Sequence, residues 1–206
     1  TDRTLSSKTD CYTLEEPLGV GGQGRTWIAR RERDGLRCVV KELHLQLAAD
    51  WKSVEHFERE VLALRSLDHP AIPAYLDHTT DEDGRVSALV QEFAAGETLE
   101  ELIAGAPLPP GRFVEILASL LDVISYLHRR VPPLLHRDIQ PRNVIAGPSG
   151  VRLVDFGVAR WGRASSATAV GTFGYVAPEQ LLGRAERASE LYGAGMTMLA
   201  LANRVD

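Results

Sequence analysis

The run His136-Arg137-Asp138-Ile139-Gln140-Pro141-Arg142-Asn143 decides how the chain is read. It follows a helix-like stretch and precedes two short β-like runs, Val144-Ile145-Ala146 and Val151-Arg152-Leu153-Val154. Asp155-Phe156-Gly157 comes directly after them. An acid, an amide five residues on and a second acid twelve residues beyond are hard oxygen donors. At that spacing they can converge on one magnesium-bound phosphate.

Around this run the composition is that of an ordinary folded protein. The 206 residues suffice for a large core, as one domain or two apposed lobes. Hydrophobic residues make up 44% and charged residues 25%, so disorder is not expected. The net charge of −5 argues against nucleic acid as a main partner. Cys11 and Cys38 are too few for a disulfide scaffold or a zinc cluster, and a reducing, cytoplasmic setting is expected. The longest apolar run, Gly193 to Ala202, is too short to span a bilayer. Thr1–Asp10 is polar and is no signal peptide. A first residue other than Met is expected of a domain excised from a longer protein, whose membrane or sensor segments would lie outside it.

Upstream, Tyr12–Leu18 reads as a strand leading into Gly19-Val20-Gly21-Gly22-Gln23-Gly24, and Thr26–Arg31 reads as the returning strand. Asp34-Gly35 is a hairpin turn signal before a third strand, Leu36–Glu42. Val54, Phe57, Val61, Leu64 and Leu67 recur at helical spacing, predicting an amphipathic helix over about Ser53–Leu67. Tyr75–His78 and Val86–Phe93 read as two more strands. Beyond Gly96 the character becomes helical. Thr98–Ala104 is short, Pro109–Arg130 carries Phe113, Ile116, Leu117, Leu120, Leu121, Ile124 and Leu127 on one face, and a last helix covers about Ala188–Ala202. The fold class expected is α+β, with a polar leader at 1–11, a strand-rich lobe at 12–93 and a mostly helical part at 94–206.

Gly19, Gly21 and Gly24 form G-x-G-x-x-G, a spacing shared by dinucleotide-binding loops and by ordinary glycine-rich turns. Here the loop leads into a strand rather than a helix. A glycine-rich hairpin of that kind lets backbone N–H groups approach phosphates. Lys41 ends the apolar run Cys38-Val39-Val40, where a lysine is usually just an exposed edge charge. Glu60, close to the apolar face of the next helix, would be costly there without a partner. A Lys41–Glu60 pair solves that and aims the ammonium at phosphate oxygens. Asp138 can accept the proton of an attacking hydroxyl, and Asn143 and Asp155 are suited to Mg²⁺.

With these pieces in this order, the chain resembles a protein kinase catalytic domain of the eukaryotic-like serine/threonine kind found in bacteria. Gly171-Thr172-Phe173-Gly174-Tyr175 and Ala177-Pro178-Glu179 resemble the end of its activation segment. The resemblance runs from about Tyr12 to the C-terminus. It implies a two-lobed fold, with an antiparallel β-sheet and one helix in the N-lobe and a mostly helical C-lobe. It also implies ATP and Mg²⁺, and a protein substrate, the chain itself among the candidates. Gly19, Gly21 and Gly24 would cover the phosphates, and Lys41, braced by Glu60, would hold the α- and β-phosphates. Glu92 and Ala94 would offer backbone groups to adenine, with Gln91 as gatekeeper and Val39 over the ring. Asp138 would be the base, Asn143 and Asp155 metal ligands, and Thr172 would bond near Asp138. Leu64, His136 and Phe156 would stack in the spine of the active state. Arg137 before the base suggests control by phosphorylation at Ser165, Ser166 or Thr168; an unregulated, solvated Ser/Thr-rich loop is the plainer alternative.

Four departures stand out. Gln140 replaces the lysine that neutralises the transferring phosphate, a loss worth about 10²-fold in rate by analogy with a lost oxyanion donor. Val39 replaces a smaller alanine over adenine. Glu190 replaces an aspartate that anchors the catalytic loop, and its added methylene is expected to displace that loop slightly. The sequence as given stops before the last helices expected of the C-lobe, with the arginine that pairs Glu179, as either a truncated domain or a naturally shortened one would. Three readings stay open: a serine/threonine protein kinase transferring the γ-phosphoryl of Mg-ATP, a pseudokinase or nucleotide-binding scaffold, and a small-molecule kinase. The Gly171–Glu179 segment, which docks peptides in the family, disfavours the third.

Overall fold

The computed structural model describes residues 3–21, 24–44, 51–80, 86–148, 150–162, 164–165 and 171–205. The chain divides into two units, one of Thr1–Leu67 with Pro73–Phe93 and one of Asp68–Ile72 with Ala94–Asp206.

The first unit is a six-stranded antiparallel sheet with one helix, as the α+β expectation requires. Its strands are β1 (Arg3–Ser6), β2 (Cys11–Gly21), β3 (Gly24–Arg31), β4 (Arg37–His44), β5 (Tyr75–Thr80) and β6 (Val86–Glu92), in the order β1-β2-β3-β4-β6-β5. The helix α1 spans Trp51–Ser66. Alternation along the strands separates two faces. Tyr12, Leu14, Ala29, Cys38, Val40, Ala88 and Val90 form one buried cluster. Val39, Lys41 and Leu43 project to the other face of β4, where Lys41 meets α1. The Asp34-Gly35 turn forms as expected, with Gly35 at φ +70 and Arg31 N–H donating to the Leu36 carbonyl at 2.9 Å.

The stretch expected as a polar leader contains β1, an element with too little apolar pattern to be seen in the sequence. Polar contacts hold it instead. Arg3 lies 2.9 Å from the buried Glu42 carboxylate, which also accepts the Trp27 indole N–H at 2.8 Å. Ser7 and Thr9 hydroxyls donate to Asp77 at 2.5 and 2.6 Å. Burial raises the Asp77 carboxyl, but bonds from Ser7, Thr9, the His78 N–H and Tyr12 bring it below its ordinary value.

The second unit is built on α3 (Pro110–Arg129) and α5 (Arg187–Ala202), with short α2 (Leu99–Ala104) and α4 (Pro178–Leu181). A capping box starts α2: Thr98 Oγ1 accepts the Glu101 N–H at 3.1 Å while the Glu101 carboxylate accepts the Thr98 N–H at 2.7 Å. The core face of α3 is Ile116, Leu120, Val123, Ile124 and Leu127. Leu121, expected on that face, is 42% exposed. It lies about 100° around the helix from Leu120, which takes it off the stripe that Val123 completes.

Two-residue strands β7 (Glu97–Thr98) and β8 (Leu134–Leu135) join β9 (Val144–Gly147), β10 (Gly150–Leu153), β11 (Arg160–Trp161), β12 (Ala164–Ser165) and β13 (Arg184–Ala185) in three small sheets. The β9–β10 hairpin sets the positions of Asn143 and Asp155, the residues on either side of it.

Gly24 is fixed by packing. An added Cβ would stand 1.8 Å from the Glu42 carbonyl oxygen in the neighbouring strand. Gly24→Ala is therefore expected to destabilise the first unit by about 1–3 kcal/mol, the range for overpacking a tight contact, in urea unfolding followed by Trp27 fluorescence.

Candidate active site

In the first unit the glycine-rich run is the end of the β2–β3 hairpin. Gly19 pairs with Thr26 and Gly21 with Gly24 across the ladder, and the residues at its tip lie outside those described. The predicted ion pair forms, with Lys41 Nζ 2.5 Å from Glu60 Oε1. Glu60 is buried, so the pair replaces the water it gave up. Val39 and Gln91 are cross-strand partners, both buried, and Leu64 is buried in α1. Glu92 ends β6 and accepts the Ala74 N–H at 3.3 Å. Ala94, buried, is among the first residues of the second unit's main segment.

In the second unit Asp138 is surrounded by donors. Its Oδ2 accepts the side-chain amides of Gln140 at 2.7 Å and Asn143 at 2.9 Å, and its Oδ1 accepts the Thr172 hydroxyl at 3.0 Å. Pro141–Asn143 is a 3₁₀ turn. Gln140, the extended residue before that turn, and Asn143, its last residue, bring their amides to the same oxygen. Gln140 is thus committed to Asp138, a partner that its sequence position did not point to. Both Asn143 amide contacts go to Asp138, one to its carboxylate and one to its backbone carbonyl at 2.9 Å, which turns the Asn143 side-chain oxygen the other way.

The loop beneath is anchored from α5. Glu190 Oε2 accepts the His136 N–H at 2.8 Å and Oε1 the Arg137 N–H at 2.7 Å. The longer acid therefore keeps both anchoring bonds. Gln180 donates to the Arg137 carbonyl at 2.6 Å. His136 Nε2 lies 3.1 Å from the Val154 carbonyl and Nδ1 accepts the Asp138 N–H at 3.3 Å, which suits the Nε2–H tautomer. Its ring meets Phe156 edge-on at 4.7 Å. Arg137 and Asp155 both adopt positive φ, 69° and 68°, a conformation that costs a non-glycine residue and clusters at functional sites.

Arg137 is buried, 3% exposed. Of the proposed phosphosites, Ser165 sits in β12 opposite Arg184, whereas Ser166 and Thr168 lie outside the described residues. Glu179 accepts the Ser189 hydroxyl at 2.5 Å. Gln180, Ser189 and the contact from Arg142 Nη2 to Thr172 Oγ1 at 3.4 Å were not foreseen. Gln180 directly follows Ala177-Pro178-Glu179, and Arg142 lies inside the catalytic run, so position within the motifs was the available signal.

A protein kinase domain family model matches residues 12–205, so the chain belongs to the protein kinase family. It is 33% identical over 207 residues to the serine/threonine-protein kinase pkn2 of Myxococcus xanthus, covering 94% of this chain and 24% of that protein. It is 36% identical over 201 residues to a probable serine/threonine-protein kinase of Streptomyces coelicolor, covering 92% and 30%. It is 33% identical over 206 residues to PknB of Mycobacterium tuberculosis, covering 95% and 33%. The chain thus spans a quarter to a third of the length of these relatives. Membership of the family implies ATP as phosphoryl donor and a divalent cation. The donor set fits such a cation, since Asp155 and the outward amide oxygen of Asn143 are hard ligands that phosphate oxygens and water would complete. Among the described residues no helix is long and apolar enough to cross a membrane.

Glu190 gives the loop a measurable pH response. Burial pushes its carboxyl up from 4.5 to about 7, against the Arg137 and His136 N–H bonds and the Arg137 charge, with Asp138 adding to the rise. A raised folded-state value means that its stabilising contribution is complete below the unfolded value and is lost as pH rises through about 7. Wild-type unfolding free energy is expected to fall between about pH 5 and 8 by up to roughly 3 kcal/mol more than that of Glu190→Gln, measured by urea unfolding across that range.

Proposed function

We propose that this domain is a serine/threonine protein kinase that transfers the γ-phosphoryl of Mg-ATP to a protein hydroxyl. The hydrogen-bonded state of Asp138 carries the reading. A carboxylate offers about four lone-pair sites. Gln140 and Asn143 take two on Oδ2 and Thr172 takes one on Oδ1, leaving a place on Oδ1 for an incoming hydroxyl. The carboxylate is held in orientation, so it can take the hydroxyl proton as the oxygen attacks phosphorus. The oxygen–phosphorus bond forms as the bond from phosphorus to the β–γ bridging oxygen breaks, and ADP leaves.

Residues 12–93 would serve as the N-lobe and 94–206 as the hinge and C-lobe. Gly19, Gly21 and Gly24 would cover the phosphates, and Lys41, held by Glu60, would contact the α- and β-phosphates. Val39, Gln91, Glu92 and Ala94 would receive the adenine. Asn143 and Asp155 would hold Mg²⁺, whose charge neutralises that of the phosphates. Thr172, already bonded to the base, ties it to the segment that would receive the protein substrate. Arg137 with Ser165, Ser166 or Thr168 would form the regulatory contact, and phosphatase treatment that leaves activity unchanged would remove that part of the reading.

Asp138→Asn is expected to lower phosphoryl transfer at least about 10²-fold while nucleotide affinity stays within about threefold. Transfer of labelled phosphate and nucleotide binding are measured on the same samples. Wild-type binding without transfer would support a nucleotide-binding scaffold instead, and absence of binding would overturn both readings.

A further inference from the structure

β1 lies before residue 12, where the match to the kinase family begins, and the kinase reading gives it no task. It and β5 are the two edge strands of the six-stranded sheet, yet the turn after β1, Ser7–Asp10, is tied to Asp77 of β5. Asp77 is 9% exposed, and its Oδ2 accepts the hydroxyls of Ser7 at 2.5 Å, Thr9 at 2.6 Å and Tyr12 at 3.3 Å. Ser7 is half-buried and its Oγ also accepts the N–H groups of Thr9 and Asp10, at 3.1 and 3.0 Å, so it is spent on the turn itself. Thr9 is the exposed member of the latch. At the other end of β1, Arg3 reaches the buried Glu42 and lies over the Trp27 ring at 5.9 Å. Between the two ends Leu5 packs on the apolar cluster that includes Tyr12, Leu14, Val40 and Val90. β1 is thus a strap over that cluster, pinned at each end by one buried carboxylate.

We propose that Thr9 is a phosphoryl acceptor for a second copy of this chain, and that phosphate there unlatches β1 from the sheet. This rests on the kinase reading above for the source of the phosphate. The bond from phosphorus to Thr9 Oγ1 forms as the bond to the β–γ bridging oxygen of ATP breaks, the hydroxyl proton passes to the catalysing copy's base, and ADP leaves. The modification replaces a hydrogen-bond donor with a group of charge about −1.5 to −2 near pH 7. The oxygen that carries it stands 2.6 Å from a carboxylate that its other donors keep ionised, so attraction becomes like-charge repulsion in a site with little water. Arg33, the cation paired with this turn, is already bonded to Asp10 at 3.3 Å. With the latch open, β1 keeps only its ladder of four residue pairs, the Leu5 packing and the Arg3 contact. A strand so short is marginal at a sheet edge. Its release uncovers the apolar cluster and strips Glu42 of Arg3, in the strand that carries Lys41 on its opposite face.

The test incubates the full chain with Mg-ATP, maps its phosphorylated residues by mass spectrometry and follows amide hydrogen exchange before and after. Phosphate is expected on Thr9, at a rate that rises with chain concentration. The amides of the Arg3–Ser6 and Cys11–Leu14 ladder are expected to exchange at least about tenfold faster afterwards, a change that Thr9→Val abolishes. Without ATP, Thr9→Glu is expected to exchange there at least about tenfold faster than Thr9→Val, and adding Asp77→Asn to each is expected to remove most of that difference. A chain that phosphorylates peptides or its own other residues but leaves Thr9 unmodified would overturn the proposal and leave the kinase reading standing. So would equal exchange in Thr9→Glu and Thr9→Val, or a difference that survives Asp77→Asn. ATP bound with no phosphate transferred to any acceptor would overturn the kinase reading and the Thr9 proposal with it.

Discussion

The loop His136–Asn143 depends on one buried carboxylate. Glu190 is 2% exposed and accepts the backbone N–H groups of two consecutive residues, His136 and Arg137. Two parallel bonds to one acid fix the path of the backbone as well as its distance. Arg137, bonded there at its N–H and by Gln180 at its carbonyl, adopts positive φ. Burying an acid is costly, and the two donors recover only part of the cost, as its raised proton affinity shows. The loop's geometry is therefore maintained at the expense of global stability, a common arrangement where a site must be held in one shape.

From that anchor the geometry passes outward in short steps. His136, fixed at its backbone, aligns its ring between the Val154 carbonyl and the Asp138 N–H and meets Phe156 edge-on. Gln180 closes the other side by bonding the Arg137 carbonyl, which connects the loop to the segment ending in Ala177-Pro178-Glu179. Ser189, adjacent to the anchor in sequence, bonds Glu179 in that same segment. The loop that carries Asp138 and the segment ending at Glu179 thus share a few polar contacts at the first turn of α5, and a change at any of them is expected to be felt by the others.

Much of this architecture was legible in the sequence because its period is strong. The alternation in β2 to β4 and the apolar stripe of α3 named those elements to within a few residues. The G-x-G-x-x-G run, Lys41 with Glu60, and the acid–amide–acid spacing gave the chemistry. β1 was hidden because, apart from Leu5 on the apolar cluster, it is held by its ladder to β2 and by Arg3, and apolar periodicity says nothing about such contacts. The two-residue strands were hidden because they are made by tertiary placement. Leu121 was misplaced because one residue's rotation separates core from surface on a helix, whereas the Gln140 amide was legible as a donor without charge but its acceptor, Asp138, was not.

The short turn at Pro141–Asn143 works as a clasp. Gln140 before it is extended, and the Asn143 N–H donates to the Gln140 carbonyl at 3.0 Å. Pro141, with its φ fixed by the ring, sits at the first position of the turn. The two side-chain amides that reach Asp138 therefore come from the two ends of one hydrogen-bonded turn. Length or charge at position 142, which is exposed, can vary without opening that clasp.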